Sequence, residues 1–386
     1  MAGLGSIEKR LDLITRRIAA EEIHGEDLIK AALAREGKSP KCLWVTSPTG
    51  KPHVGYFIPL LKFADFLKAG VEIVVVLLDV YSFLDNVKFP MEQVVQRMNY
   101  YRLTVMAALE AIGVPSSKVK FVQESSYHFD KQFIIDQWRL CTLVPQQVVR
   151  DAWDRSYNPS MLSPMLCPGL QTLAEEHLDI DFQFGGADQR GIFGFAERFL
   201  PELGYKRRAH MMNTMLPNLL GGKMSSSHPP NTKIMFLDSS EAVTKKISEA
   251  YNGEKSVNQN GVLASLRDIL IPIGKLRLER LENRGDMKSA EAQDSPSNQP
   301  SFCAEDAPGD TVFSVKVEDG KNGSRYRHYR SFEAIEQDLA ENKISPSELS
   351  GAVAAAFNQL LDPVRKAYAA SEEWQEVDRL AYPTLE

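Results

Sequence analysis

The chain has 386 residues, of which 43% are hydrophobic and 25% charged, and its formal net charge at pH 7 is −6. These values are ordinary for soluble globular proteins and exclude a disordered or fibrous chain, and the length allows two or three domains. The net charge argues against a protein that binds polyanions over its whole surface. Apolar runs are much shorter than the roughly 20 residues of a membrane-spanning helix, so no membrane insertion is expected.

The N-terminal segment and the cysteines bear on the cellular compartment. Residues 1–17 lack the features of a secretory signal or a mitochondrial presequence, which predicts a cytoplasmic location. The four cysteines, Cys42, Cys141, Cys167 and Cys303, are scattered without the spacing of zinc ligands or of a disulfide framework. We therefore expect reduced thiols and no metal site built from protein ligands.

The first half of the chain alternates between helical and strand patterns. Residues 7–36 carry apolar positions at helical spacing, which predicts one or two amphipathic helices. The segments that follow predict strands at 41–46, 71–79, 119–122 and 180–184, and helices at 56–69, 91–112 and 131–143. This alternation predicts an α/β fold with a doubly wound, Rossmann-type parallel sheet. The loops at 47–55 and 185–186 follow strands and are placed to meet a ligand.

After residue 237 the pattern changes to helices without strands, at 239–251, 262–270, 332–341 and 345–368. We therefore predict an α/β domain with N-terminal helices over 1–237 and a mostly helical domain over 238–386. Within the second domain, residues 283–310 are rich in Ser, Pro, Asn, Gly, Ala and acidic residues. Such a composition buries little apolar surface, which predicts a disordered insertion.

The first candidate nucleotide loop is Gly50 to Tyr56, in which His53 opens a predicted helix just after a strand. Backbone N–H groups at a helix start favour anions, a glycine such as Gly55 lets a nucleotide approach the backbone, and an imidazole can donate to a phosphate. Alone, this pattern is more typical of a structural or solvated loop histidine.

The second candidate loop, Gly221 to Ser227, surrounds Lys223 with glycine and serine. A lysine on a mobile loop can close over ATP and neutralise charge as pyrophosphate leaves. The serines alone are more typical of a flexible linker.

Together the two loops resemble the paired signature loops of class I aminoacyl-tRNA synthetases, His-Ile-Gly-His and Lys-Met-Ser-Lys-Ser. The sequence is most similar to the eukaryotic tyrosyl-tRNA synthetase family, from about residue 40 to the end. The segments that carry this resemblance are 49–56, 66–70, 84–86, 168–171, 183–190, 203–205, 223–227, 360–365 and 381–383.

The resemblance implies a ligase of protein biosynthesis that uses ATP and Mg²⁺ to activate an amino acid as an aminoacyl-adenylate. It implies a catalytic domain over 1–237 and an anticodon-binding-like domain over 238–386. The reaction is in-line attack of a carboxylate on the α-phosphorus, which needs positioning and charge stabilisation but no protein nucleophile.

The resemblance also assigns site residues. Catalysis is assigned to His53, Lys223, Ser225 and Ser226. ATP binding is assigned to Gly50, His53, Gly55, Asp188, Lys223, Met224 and Ser225. Asp188 would accept the ribose hydroxyls, and Gln171 and Gln189 would orient the α-amino and α-carboxyl groups of the amino acid.

The side-chain pocket departs from the family pattern. The family binds the phenol of tyrosine through a tyrosine and an aspartate, and the matching positions here are Leu43 and Ala174. A hydroxyl buried against them would lose its hydrogen bonds, at a cost of roughly 1–3 kcal/mol. A family glycine beneath the substrate ring is Val45, a pocket histidine is Tyr81, and a tyrosine that binds the substrate amino group is Cys167. The Cys167 thiol is expected to fill space, since no base is paired with it.

Three hypotheses follow. In the first, the pocket is retuned for phenylalanine, an O-substituted tyrosine or an aliphatic amino acid, with tRNA or a small amine as the acceptor. In the second, the protein is an ordinary tyrosine-tRNA ligase whose phenol contacts come from His128 or Ser126. In the third, it is a non-catalytic RNA-binding or interaction protein, although intact signature loops argue against this.

Partners are indicated less strongly than adenylate formation. Residues 144–160 differ from the family segment that contacts the acceptor stem and helps to form the symmetric dimer. This difference leaves open whether tRNA is the acceptor. The resemblance to the family still implies a homodimer. Basic segments at 206–208 and 325–330 are candidate RNA contacts, and solvated charged faces are an equal alternative.

Overall fold

The computed structural model describes residues 5–85, 89–152, 161–222, 224, 229–250, 260–286, 301–318 and 323–383. The strands are β1 (Ile23–His24), β2 (Lys41–Thr46), β3 (Glu72–Leu77), β4 (Val119–Gln123), β5 (Phe182–Gly186), β6 (Ala209–Asn213), β7 (Phe313–Glu318) and β8 (Ser324–Tyr329). The helices of the first part are α1 (Ile7–Thr15), α2 (Glu26–Ala34), α3 (Phe57–Lys68), α4 (Asp79–Leu84), α5 (Met91–Ala111), α6 (Ser125–His128), α7 (Lys131–Leu143), α8 (Gln146–Ala152), α9 (Cys167–His177) and α10 (Arg190–Glu202). Those of the second part are α11 (Ser240–Ala250), α12 (Gly261–Ser265), α13 (Ile271–Asp286), α14 (Phe332–Ala340), α15 (Pro346–Ala369) and α16 (Glu372–Ala381).

A six-stranded sheet with the order β1-β6-β5-β2-β3-β4 lies at the centre of the first part. All its neighbours pair in parallel except β1, which pairs antiparallel with β6. The chain runs outward from β2 through β3 to β4 and then returns to β5 on the other side of β2. This topology confirms the predicted doubly wound sheet, in which ligands bind outside the carboxyl ends of the strands where the order reverses.

The strands next to this reversal are apolar because helices cover both faces of the sheet. The five residues from Ile73 to Leu77 of β3 are buried, and β2 is mostly buried. One apolar cluster packs against α3 and α5, and a second lies on the opposite face against α7 and α9. The continuous apolar runs that predicted these strands reflect this two-sided burial.

Several elements were not predicted from the sequence. Helix α9 starts at Cys167-Pro168-Gly169, a combination typical of a turn, although proline in the first helical turn loses no intrahelical hydrogen bond. Strand β6 carries a buried polar residue, His210, which weakens its apolar pattern. Helices α10 and α16 were also missed.

The prediction of helices without strands after residue 237 is wrong in one respect. Strands β7 and β8 form an antiparallel hairpin in which Phe313 pairs with Tyr329. Burial of Phe313, Val315 and Val317 joins the hairpin to the helices through its apolar face. In the described part of the chain, no helix has the length and apolar character that crossing a membrane requires.

The predicted disordered insertion at 283–310 is wrong at both of its ends. Helix α13 continues to Asp286, and residues 301–310 belong to the described structure. Phe302 is buried, and its carbonyl accepts a hydrogen bond from the backbone N–H of Ser314 at 2.9 Å. The rest of the predicted insertion, 287–300, lies outside the described residues.

A buried charge network joins α9, α10 and β6. The Nε2 atom of His210 lies 2.8 Å from a Glu175 carboxylate oxygen, and its Nδ1 atom lies 3.1 Å from Glu197. His24 lies on the exposed side of Glu197, 3.0 Å away. Burial opposes the charge on His210, but the carboxylates outweigh burial and raise the pKa of His210 to about 9 from 6.5. The charged ring therefore stabilises the folded state.

We expect His210→Leu to destabilise the protein by roughly 3 kcal/mol at pH 7, because it leaves a buried carboxylate without its partner. Since the folded-state pKa of His210 is raised, its contribution is complete below pH 6.5 and is lost as the pH rises through 9. Denaturant unfolding at pH 7 and pH 9.5 would measure both effects. His24→Gln is the matched control and should keep the pH dependence, while an unchanged pH dependence in His210→Leu would contradict this assignment.

Candidate active site

A cavity of about 270 Å³ opens at the carboxyl ends of β2 and β5, where the strand order reverses. Its wall includes His53, Gly55, Asp188 and Met224 toward the strand ends. Further residues of the wall are Val45, Tyr81, Gln171 and Gln189. The fold thus brings together residues that stand up to 179 positions apart, from Val45 to Met224.

The loop after β2 fixes the orientation of the His53 ring. The ring caps the turn that opens α3, and its Nδ1 atom accepts the backbone N–H of Gly55 at 3.2 Å. In the neutral ring this leaves the proton on Nε2, which can donate to an anion. The backbone N–H of Val54 donates to the Ile234 carbonyl at 3.0 Å and holds the loop against the chain beyond the second signature loop.

Helices α5 and α16 hold the same loop from its other side. Arg97 donates to the Thr49 carbonyl through one guanidinium nitrogen and to the Ala381 carbonyl through Nε at 2.9 Å. The Tyr101 hydroxyl donates to the Gly50 carbonyl at 2.5 Å. Gly50 itself does not line the cavity. The Gly50 carbonyl helps to fix the path of the loop.

The second signature loop is described only at its edges and at Met224. Met224 is buried and lines the cavity, and its backbone N–H donates to the Leu216 carbonyl at 3.1 Å. Lys223, Ser225 and Ser226 lie outside the described residues. Their predicted roles stay predictions, while the position of Met224 brings this part of the chain to the cavity.

The turn after β5 leaves no room for a side chain. A Cβ atom on Gly186 would lie 2.5 Å from an Asp188 carboxylate oxygen and 2.6 Å from the Met215 sulfur. Glycine therefore lets the Asp188 carboxylate approach the backbone at the cavity edge. A carboxylate in this position can accept two hydroxyl groups of a ribose.

The two predicted amino-acid ligands on α9 and after β5 meet at the cavity. The Gln171 amide nitrogen donates to the Gln189 carbonyl oxygen at 3.0 Å. The pair lies in the cavity wall together with His53 and Asp188. This geometry suits recognition of an α-amino and an α-carboxyl group.

Three residues predicted to form the side-chain pocket lie behind its wall. Leu43, Cys167 and Ala174 are fully buried in the apolar cluster between the sheet and α9, and they do not line the cavity. The Cys167 thiol donates weakly to the Tyr81 carbonyl at 3.7 Å, and burial raises its pKa well above the ordinary value. These apolar side chains fill the space beneath the wall with each other, and their role in the side-chain pocket stays a prediction.

A buried acid supports the cavity wall at Tyr81. The Glu124 carboxyl accepts the Tyr81 backbone N–H at 2.8 Å, and burial raises the pKa of Glu124 to about 8. Glu124 is therefore neutral at pH 7. His128 lies 3.5 Å from its other oxygen, and burial lowers the pKa of His128 to about 4. Neither residue lines the cavity.

Sequence-based prediction missed several residues of the wall: Trp44, Gln183, Phe193, Asn213 and Met215. Gln183 left a detectable signal, because it is a polar residue in the middle of the buried strand β5. Asn213 ends β6 and Met215 follows it, and this strand was itself not predicted. No comparable pattern marks Trp44 or Phe193 as cavity residues rather than core residues.

This arrangement defines a nucleotide-binding α/β enzyme that can join an acid to a nucleotide. It presents an imidazole N–H that can donate to an anion at a helix start, a carboxylate and a pair of side-chain amides in one cavity. In the described part of the chain, no group of three or more His, Cys, Asp or Glu residues could hold a metal ion.

Comparisons with known proteins agree with this class. The family model for class I tRNA synthetases (W and Y) matches residues 35–362. The cytoplasmic tyrosine–tRNA ligase of Saccharomyces cerevisiae is 39% identical over 96% of this chain and 87% of its own length. The Gallus gallus enzyme of the same name is 37% identical over 97% of this chain, which spans 64% of that relative. A crystal structure of the Archaeoglobus fulgidus tyrosyl-tRNA synthetase with L-tyrosine matches with a TM-score of 0.72 and 28% identity over 94% of this chain and 99% of that one.

The chain therefore belongs to the class I tRNA synthetases, in the family of the tryptophanyl and tyrosyl enzymes, and it is of the tyrosyl type. It is an aminoacyl-tRNA ligase, and enzymes of this class use ATP.

We expect Gly186→Ala to raise the KM for ATP by about tenfold or more, because the new methyl group displaces the Asp188 carboxylate. Pyrophosphate exchange at varied ATP concentration would measure this change. Gly194→Ala is a matched control, since a Cβ atom there meets nothing within 4 Å and Gly194 is exposed on α10. Equal KM values in the two variants would contradict the role of the turn.

Proposed function

We propose that this enzyme activates a side chain that is less polar at its far end than tyrosine. The product is an aminoacyl-adenylate, and phenylalanine, an O-substituted tyrosine or an aliphatic amino acid are the candidate substrates. The acceptor is tRNA or a small amine. The single observation that carries the proposal is the full burial of Leu43, Cys167 and Ala174 in one apolar cluster behind the cavity wall.

The ATP half of the site supports adenylate formation. His53, Gly55, Met224 and Asp188 line one cavity with the Gln171 and Gln189 pair. We assign the phosphates to the loop of His53 and Gly55 and the ribose to Asp188. Lys223, Ser225 and Ser226 complete the site in this proposal by closing over the phosphates. Mg²⁺ arrives with the ATP phosphates and is held mainly by them.

The apolar cluster supports the change of substrate. The phenol of a bound tyrosine would find neither family partner at Leu43 and Ala174, and an unsatisfied buried hydroxyl costs roughly 1–3 kcal/mol. A factor of ten in selectivity corresponds to about 1.4 kcal/mol, so loss of these contacts lowers tyrosine activation by about five- to 150-fold. Phenylalanine or an ether at the same position carries no hydroxyl and avoids this cost.

Tyrosine–tRNA ligation is the second candidate function, and 39% identity to the Saccharomyces cerevisiae tyrosine–tRNA ligase favours it. It requires phenol contacts from other residues. His128 stacks on Phe133 with ring centroids 4.2 Å apart and does not line the cavity. The Ser126 hydroxyl donates to the Gln123 carbonyl at 2.6 Å, so its proton is already used in a hydrogen bond other than one to a phenol.

Amino-acid-dependent exchange of labelled pyrophosphate into ATP separates these candidates. We expect phenylalanine or O-methyltyrosine to exceed tyrosine by about tenfold or more in kcat/KM, because neither carries an unsatisfied hydroxyl. The assay includes all natural amino acids and contains no tRNA. A tyrosine value above all others would establish the tyrosine ligase instead.

A double variant tests the cause of the selectivity. Leu43→Tyr with Ala174→Asp restores both polar partners and should raise tyrosine exchange relative to phenylalanine by about tenfold. Leu43→Phe with Ala174→Asn is the matched control, since it has similar volumes without the added phenol and carboxylate. Equal ratios in both double variants would show that these positions do not set the selectivity.

The contact with tRNA is proposed for the second part of the chain. Arg325 and Tyr326 are exposed on β8, which suits stacking and phosphate contacts with single-stranded RNA. The other candidate, 206–208, is less suitable because Arg208 is buried and pairs with Glu176. The cytoplasmic location rests on the names of the relatives and stays a proposal.

We also propose that the protein is a homodimer. Five of the ten large apolar side chains that are exposed in the described residues lie between positions 129 and 162: Phe129, Trp138, Leu143, Met161 and Leu162. Exposed apolar residues in such number mark a protein interface. An isologous contact between two copies would bury them.

We expect Trp138→Glu to convert the dimer to a monomer. Trp138 is 65% exposed, and a glutamate in its place would put a charge inside the contact between the two copies. Light scattering after size-exclusion chromatography measures the mass. Leu380→Glu, at an exposed leucine outside this segment, should remain dimeric. A Trp138→Glu variant with the mass of the wild type would exclude this face.

A further inference from the structure

Gln183 lines the cavity and carries a buried amide nitrogen without a hydrogen-bond partner among the described residues. The residue is only 1% exposed. A buried polar group without a partner is unfavourable, and such groups are rare in folded proteins. An orphaned donor in a cavity wall is therefore a candidate contact for a ligand.

The position of Gln183 along β5 assigns it to the far end of the substrate. Gly186 ends the strand at the edge of the cavity, near Asp188. Gln183 lies three residues before it, roughly 10 Å deeper along the strand. Since the reacting carboxylate must meet the α-phosphorus at the strand ends, the substrate side chain extends inward toward Gln183.

Gln183 has an apolar neighbour on one side and a polar neighbour on the other, since His210 is its register partner on β6. Leu43 is its register partner on β2, and Val45 lies on the same face of that strand. Val45 and Leu78 line the cavity with Gln183, while Leu43 fills the space behind the wall. The amide is thus a donor between apolar side chains on the β2 side and the charged His210 on the β6 side.

We propose that Gln183 determines specificity by donating a hydrogen bond to an acceptor-only oxygen on the substrate side chain. The substrate class is then an aromatic amino acid with an ether oxygen at its far end, such as an O-alkyl tyrosine. An ether satisfies the amide and brings no hydroxyl hydrogen into the apolar cluster, whereas phenylalanine leaves the amide unsatisfied. This inference rests on the proposed function and deepens it.

A pair of isosteric amino acids tests the contact. O-Methyltyrosine and 4-ethylphenylalanine have the same shape, and they differ by an oxygen in place of a methylene group. We expect the wild-type enzyme to prefer the ether by about tenfold in kcat/KM of pyrophosphate exchange, since one neutral hydrogen bond is at stake. The Gln183→Met variant, of similar size and without the donor, should show equal values for both compounds.

Two controls keep the test specific. The KM for ATP in Gln183→Met should match the wild type, which shows that the variant folds and binds nucleotide. Gln183→Leu provides a second apolar side chain if methionine destabilises the protein, and it should also show equal values. Gln359→Met, on the exposed face of α15, should keep the preference for the ether.

The outcomes separate this inference from the proposed function. Three results would overturn the role of Gln183. The first is an equal kcat/KM of the wild-type enzyme for the two isosteres, and the second is a preference for the ether that survives in Gln183→Met and Gln183→Leu. The third is no exchange with either compound. Exchange with phenylalanine above both compounds would retain the apolar pocket and reject the ether. Tyrosine above all other amino acids would overturn the proposed function itself.

Discussion

The parallel pairing of β2 with β5 is the constraint on which the site depends. The two strands are far apart in the sequence, and they are neighbours because the chain returns to the other side of β2 after β4. Register between Leu43 and Gln183 sets which side chains meet on the face toward α9. The same register brings the loop of His53 and the turn of Gly186 to one edge, which is where doubly wound sheets bind their ligands.

The parts of this site that could be predicted from the sequence are those with a local signal. The loops around His53 and Lys223 carry short motifs, and β2 and β3 carry continuous apolar runs. The hairpin β7–β8 could not be predicted in this way, because its exposed strand is charged and its partner follows a polar segment. The burial of Leu43, Cys167 and Ala174 behind the wall depends on packing between the sheet and α9, which a sequence pattern does not report.

Two buried ionisable groups of the described residues differ in their charge. His210 retains a proton between Glu175 and Glu197, whereas burial favours the neutral form of Glu124 although its carboxyl accepts backbone hydrogen bonds from Tyr81 and Val80. Both residues lie close to elements that form the cavity. Polar groups near the substrate are therefore either paired with each other, as Gln171 and Gln189 are, or left to a ligand, as we propose for Gln183.

The contacts of α16 with the first signature loop link the two ends of the chain. Lys51 forms an ion pair with Asp378 at 2.6 Å, and Arg97 bridges the Thr49 and Ala381 carbonyls. The last helix is thus a buttress for the loop of His53. Whatever displaces that helix, whether truncation, fusion of a bulky tag or a bound partner, should reach one wall of the cavity through Lys51 and Arg97, so the mechanical stiffness of that wall depends on a helix that is remote in the sequence.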